Sequence, residues 1–307
     1  MSPHDDTSTD PSTPVRLCAF SETSVLGKIV EAKIVDVRKR ASETPFEQHR
    51  ARARRTDRSF QRALLRGDMT KKRSSKSDPS DHFLNSSNAD NSSNSFDQRT
   101  PSLIAEIKEK SPSKGALRTD LDALAIAAIY ERHAHAISVV CDTPFFGGSL
   151  DRLAAVRAHV TLPVLLKDFI ISEYQIYEGR CFGADAVLLM ASVLEPESLE
   201  HLIQVAESLG MDALVEVHTE AELEAVGAGR AKIVGVNNRN LHTLEIDPNT
   251  FVRLAPKIPQ ERTLVAESGI RTRDDLVPLR GMADAVLIGS TLMSAPNIET
   301  KLIELGW

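Results

Sequence analysis

From residue 101 onward the chain repeats one pattern. Short apolar runs alternate with longer stretches in which apolar positions return every three or four residues. The runs are SLIAEIK (102–108), AISVVCD (136–142), LPVLLKD (162–168), ADAVLLM (184–190), DALVEVH (212–218), KIVGVNN (232–238), TLVAES (263–268) and DAVLIGS (284–290). Their start-to-start spacings of 34, 26, 22, 28, 20, 31 and 21 residues leave room for one helix each time. TDLDALAIAAIYERHA (119–134) opens on a Thr/Asp cap signal, and EPESLEHLIQVAESLG (195–210) closes on a glycine stop. Largely apolar strands separated by helices predict a parallel sheet covered on both faces. A count of eight predicts a closed (β/α)8 TIM barrel over an open doubly wound sheet. No GxGxxG follows any strand, which further weakens the dinucleotide fold. GADAVLLM (183–190) and MADAVLIG (282–289) echo each other at strands four and eight. That suits half-barrel symmetry, although any buried strand after a helix gives a similar pattern.

The first hundred residues read differently. Residues 1–20 are dominated by Ser, Thr, Pro and Asp and are expected to be disordered. Leu26, Ile29, Val30, Ile34 and Val37 recur at helical steps, with Lys28, Lys33, Lys39 and Arg40 between them. Residues 46–66 predict a second, strongly basic helical stretch, so 21–66 form an N-terminal helical extension. In residues 67–100, Ser, Asn and Asp predominate and Met69, Phe83, Leu84 and Phe96 are the only large apolar side chains. Such a segment cannot bury enough surface to offset ordering entropy, and a low-complexity disordered insert is expected. Residues 101–307 are then the barrel and catalytic domain.

Charge and composition narrow the function classes. A net charge of −6 over 307 residues and a pI near 5.9 argue against a general nucleic-acid binder. The basic run His49–Arg55 reads as a solvated helix face. No apolar run approaches the ~20 residues of a membrane span. The opening MSPHDDTSTDPSTP has no apolar core of a signal peptide and is not a typical Arg-rich transit sequence. Cys18, Cys141 and Cys181 lack CxxC spacing and read as reduced thiols of a cytoplasmic protein, with no zinc site.

The ends of the apolar runs carry the candidate chemistry. Side chains on a strand alternate faces, so Glu106 and Lys108 project to the same side as Ile104. Strand three ends in Lys167-Asp168, strand five in Glu216, strand six in Asn237, Asn238 and Arg239, strand seven in Glu267-Ser268-Gly269, and strand eight in Gly289-Ser290. Charges buried for packing alone are costly unless paired, so polar termini converging on one barrel rim predict an active site. ESGI (267–270) and IGST (288–291) place Gly and Ser before predicted helices after strands seven and eight, the usual barrel phosphate position. Lys110 and Ser111, after strand one, are expected to add to that anion cradle. A phosphorylated small molecule is therefore the expected partner.

These motifs resemble the indole-3-glycerol phosphate synthase family. PSLIAEIKEKSPSKG (101–115), FFGGSLDRL (145–153), PVLLKDFIISEYQIYEGRCFGADAVLLM (163–190), LVEVHTEAEL (214–223), VGVNNRNL (234–241), VAESGI (265–270) and VLIGSTLM (286–293) carry the likeness, with LGKIVEAKIVDV (26–37) and RSFQRAL (58–64) matching that family's extension. The insert departs from the family pattern, as does Asp142, where relatives often carry Glu. The resemblance implies ring closure of 1-(2-carboxyphenylamino)-1-deoxyribulose 5-phosphate to indole-3-glycerol phosphate, with loss of CO2 and water, no metal and no organic cofactor. It implies Lys167 as proton donor, Lys108 on the anthranilate carboxylate, Glu106 orienting a lysine, Glu216 as general base and Asn237 positioning hydroxyls. Phe146 is expected against the aromatic ring, and Arg239 as either a substrate or a structural contact. Other tryptophan-pathway enzymes are the macromolecular partners it suggests. His218, two residues after Glu216, reads as a helix-start polar residue outside the site. Rival readings are another phosphate-binding barrel, a Schiff-base aldolase using Lys167, and a non-catalytic relict. An isomerase of the phosphoribosylanthranilate type would call for a Cys/Asp pair, whereas Cys141 ends strand two and Met190 strand four.

Overall fold

Eight parallel strands close into a barrel in the computed structural model of the protein, which describes residues 10–21, 24–65, 100–112, 115–118, 121–227, 229–241 and 243–307. They are β1 (Ser102–Ile107), β2 (Ala136–Val140), β3 (Val164–Lys167), β4 (Ala186–Met190), β5 (Asp212–Val217), β6 (Ile233–Asn237), β7 (Thr263–Glu267) and β8 (Ala285–Ile288). Each pairs with its neighbour in the sequence, and β8 returns to β1 with Ala285 opposite Ser102. All eight lie inside the predicted runs. Nearly every strand residue is buried, because helices cover the outside while side chains fill the inside. A strand buried on both faces shows no polar alternation, which is why the sequence reads as apolar blocks.

The crossover helices start where local chemistry lets them. The first, Ala123–His133, begins after Asp122, whose carboxylate accepts the amides of Leu124 and Ala125. The crossover between β7 and β8 is instead a 3-10 helix, Arg273–Leu279, opened by a Thr272/Asp275 capping box and carrying Pro278.

The N-terminal extension closes the barrel at both ends. Helix α1 (Val25–Glu43) is capped by Ser24 and buries Leu26, Ile29, Val30, Lys33 and Val37. The basic stretch is not one helix but two, α2 (Phe46–Arg52) and α3 (Phe60–Leu65), joined by extended residues 53–59. Tertiary bonds hold that segment open. The Thr56 amide donates to Leu209 O, its hydroxyl to Asp185 Oδ1 at 2.5 Å, and Arg58 to Val160 O and Leu162 O. These partners lie ahead of β3, β4 and β5, at the N-terminal mouth of the barrel. Phe60 and Leu64 are buried there, and α3 packs against β1, β2 and β7. The basic run is thus partly an inward-facing clamp; His49 is buried, with Nε2 3.1 Å from the Tyr174 hydroxyl.

Residues 10–20 correct the expectation of a disordered terminus. The amides of Val15 and Cys18 donate to Ile171 O and Val193 O, and Leu17 bridges Leu194. These backbone groups find partners in the loops after β3 and β4, where composition alone shows none. The predicted insert, apart from Thr100, lies outside the described residues.

Candidate active site

The inward-facing side chains at the C-terminal ends of the odd strands form a single charged layer. Glu106 comes from β1, Lys167 from β3, Glu216 from β5 and Glu267 from β7, the alternate-strand pattern of one barrel layer. The register brings them together. Glu216 lies beside Met190 and Gly235, and Glu267 beside Asn237 and Leu287. Two glycines make room for the carboxylates. A Cβ on Gly235 would fall 2.2 Å from Glu267 Oε1, and one on Gly289 would fall 2.1 Å from Glu106 Oε1.

Lys167 Nζ sits 3.2 Å from Glu216 Oε2 and 3.6 Å from Glu267 Oε2, while Lys108 Nζ sits 2.7 Å from Glu106 Oε1. Burial opposes the charge on Lys167, but Glu216, Glu267 and Glu106 outweigh it and hold its pKa well above the ordinary value. Burial and the Glu216 charge push the Glu267 carboxyl well above the ordinary carboxyl range, so of the two it is the harder to ionise. Burial also works against Glu216, yet Lys167 and His218 keep it ionised and well below the usual carboxylate range. Two carboxyls side by side are therefore shifted in opposite directions, the arrangement acid–base chemistry needs.

Asn237, Ser111, Phe146, Arg239, Ser268, Gly269 and Ser290 all line the same cavity as this layer. Phe146 sits on the short helix Thr143–Phe146 after β2, its ring 6.1 Å from that of Phe169. Ser268 and Gly269 adopt consecutive left-handed conformations, with φ of 63° and 94°. The Asn238 side chain fixes that turn, donating to Ser268 O at 3.1 Å and accepting from the Phe251 amide. Gly289 caps the helix Ser290–Met293, and both loops contribute residues to the cavity lining. Arg239 donates to Leu244 O, and Arg271 lines the cavity close enough that its charge, after burial, lowers the Arg239 pKa.

Lys110 departs from the expectation. It lies in a small hairpin, Lys110–Ser111 with Gly115–Ala116, and its Nζ turns to Pro144 O at 3.1 Å and away from the cavity. Three groups were missed. Phe169 stood inside a matched motif and Arg271 directly after one, and neither was assigned a role. His218 was excluded, yet it is partly buried, with Nε2 3.2 Å from Glu216 Oε1 and Nδ1 3.2 Å from Glu222 Oε2. The i, i+2 rule that placed Lys108 beside Glu106 also places His218 on the Glu216 face. Among the described residues no group of three or more His, Cys, Asp or Glu side chains is arranged to hold a metal ion.

A model of the Indole-3-glycerol phosphate synthase family matches residues 69–305. An indole-3-glycerol phosphate synthase of Dehalococcoides mccartyi is 49% identical over 208 residues, 66% of this chain and 80% of that one. One from Parafrankia sp. is 54% identical over 196 residues, 63% of this chain and 73% of that one. Among solved structures, 3-hexulose-6-phosphate synthase from Salmonella typhimurium aligns with a TM-score of 0.53 at 16% identity, over 66% of this chain and 96% of that one, a likeness of fold alone. By a family match spanning most of its length, and relatives near half identity across the barrel, the chain belongs to the indole-3-glycerol phosphate synthase family.

Proposed function

We propose that the charged layer closes the indole ring of 1-(2-carboxyphenylamino)-1-deoxyribulose 5-phosphate, releasing CO2 and water. Membership of the family makes the protein a carboxy-lyase of tryptophan biosynthesis. The observation that carries the assignment of roles is the geometry of the layer: the Lys167 ammonium lies 3.2 Å from Glu216 Oε2, with Glu267 beside it and His218 on the other Glu216 oxygen. Lys167 delivers its proton to the ketone oxygen as the aryl carbon attacks. An alkoxide is a stronger base than any lysine amine, so the transfer runs downhill even from a raised pKa. Lys108, paired with Glu106, holds the anthranilate carboxylate and serves the dehydration. Glu216 removes the ring proton that restores aromaticity, and Asn237 positions the sugar hydroxyls. Phe146 and Phe169 flank the aromatic ring. The three cysteines are free thiols, which suits the cytoplasm. No described helix is long and apolar enough to cross a membrane.

The direct test is indole-3-glycerol phosphate formation by the purified protein, followed by the appearance of indole fluorescence. Absence of product from this substrate under any buffer condition would remove the proposal.

The phosphate end has its own expected result. Gly269→Asp and Ser290→Asp each place a carboxylate beside the turn where the dianion is expected to sit. Like charges repel, so KM should rise at least about tenfold in both, with the larger share of the loss in KM and not in kcat. Inorganic phosphate should compete with substrate in the wild type. Unchanged KM in both variants would move the phosphate site elsewhere.

A further inference from the structure

We propose that His218 and Glu222 together are a positioning device for Glu216, a fixed cation that decides which of two buried carboxyls acts as the base. The inference rests on the reading of Glu216 as general base.

The device follows from the local sequence EVHTEAE (216–222). β5 ends at Val217, and Thr219 caps the helix Glu220–Val226 by accepting the Glu222 amide. That cap places Glu222 one turn into the helix, with its carboxylate reaching back over the strand end. Glu222 Oε2 accepts the His218 backbone amide at 2.7 Å and contacts Nδ1 at 3.2 Å. Nδ1 must carry a proton to meet a carboxylate, so the ring is held in one orientation with Nε2 directed at Glu216 Oε1. Nε2 has no well-aligned hydrogen bond, and its 3.2 Å approach to Glu216 is ionic. Between two carboxylates, and despite burial, the imidazole pKa is pushed up to about 10. It is an imidazolium at every pH at which the enzyme is expected to work.

The charges around Glu216 show why this matters. β3 contributes Lys167, β7 contributes Glu267 and β1 contributes Glu106 beyond Lys167, while neighbouring β4 and β6 present only Met190 and Gly235. Lys167 lies 3.2 Å from Glu216 and 3.6 Å from Glu267 and so barely distinguishes them. Of these two carboxyls, His218 pairs with Glu216 and not with Glu267. Opposite Lys167 it holds the second carboxylate oxygen, and it leaves Glu267 as the partner that takes the proton. Without it the two carboxyls would share one proton more evenly, and Glu216 would be protonated for much of the time near neutrality.

The experiment is the pH dependence of kcat for the wild type, His218→Gln, Glu222→Gln and Glu216→Gln. Removing a cation raises the pKa of the carboxylate it faced. The acid limb of His218→Gln should therefore move to higher pH by about one unit or more, the usual effect of one close opposite charge. The kcat deficit should be largest on the acid side and shrink as pH rises. Glu222→Gln, at a partly exposed position, should move the limb less and in the same direction; it carries the test should His218→Gln not fold. A merely structural histidine gives a deficit equal at all pH values and an unmoved limb, and that result overturns the proposal. Should Glu216→Gln keep near-normal kcat, the base assignment fails and this inference with it. Should Glu216→Gln be inactive while the limbs of both other variants stay in place, only the positioning role falls.

Discussion

Lys167→Ala should lower kcat by about 10²–10⁴-fold, the usual worth of a positioned proton donor. Two effects act in the same direction. The ketone oxygen loses the ammonium that protonates it, and Glu216 loses the cation 3.2 Å from its Oε2. With that charge gone, the His218 imidazolium alone is left to hold Glu216 ionised beside Glu267, so less of the base is available. KM should change much less, because other groups are proposed to bind the phosphate and anthranilate ends. The fold should survive, since Lys167 ends its strand at the cavity and is not part of the apolar packing within the barrel. Steady-state kinetics beside a denaturation curve separate the cases. A kcat within about tenfold of wild type, in a protein of normal stability, removes Lys167 from the proton-transfer step.

The strands and most of the rim are legible in the sequence for one reason. A parallel barrel strand is apolar throughout, so a polar residue at its end interrupts an otherwise uniform run. Glu106, Lys167, Glu216, Asn237 and Glu267 all announce themselves in that way. Three groups do not, and each fails for a different physical reason. Lys110 lies at the right distance after β1, but the hairpin turns it to Pro144 O, and nothing local in the sequence encodes that turn. His218 obeys the strand alternation but sits where a helix start is equally natural. Lys33 is the most instructive. It looks like one of several lysines separating apolar positions on α1. Yet it shares the buried face with Leu26, Val30 and Val37, four positions at steps of four, three and four residues. The stripe was visible; that a charge belongs on it depends on Asp142 and Asp168, more than a hundred residues away.

That pairing supports the second large effect, on stability. Lys33→Met should destabilise the fold by about 3–5 kcal/mol, the usual cost of removing one member of a buried ion pair. Lys33 Nζ lies 2.7 Å from Asp168 Oδ1 and 3.0 Å from Asp142 Oδ1, and all three side chains are almost wholly buried. Methionine keeps the stem and its packing, so the loss isolates the charge. What remains is two buried carboxylates without the ammonium they share, and only the charge of Arg40 still acts on Asp168. The deficit should depend on pH in a definite direction. Burial already pushes the Asp168 carboxyl up, while Lys33 opposes that rise. Without Lys33 its folded pKa climbs further above the unfolded value of about 3.9. A carboxyl raised in the folded state favours folding when protonated and disfavours it when ionised. The deficit should thus be full near pH 7 and shrink as pH falls through the raised folded value towards pH 4. Adding Asp168→Asn should recover part of the loss, because one of the unpaired charges is then gone. Chemical denaturation of the single and double variants at pH 7 and pH 5 reads all of this. A deficit under about 1 kcal/mol, typical of an exposed ion pair, or one that does not vary with pH, would show that α1 is held to the rim by its apolar face alone.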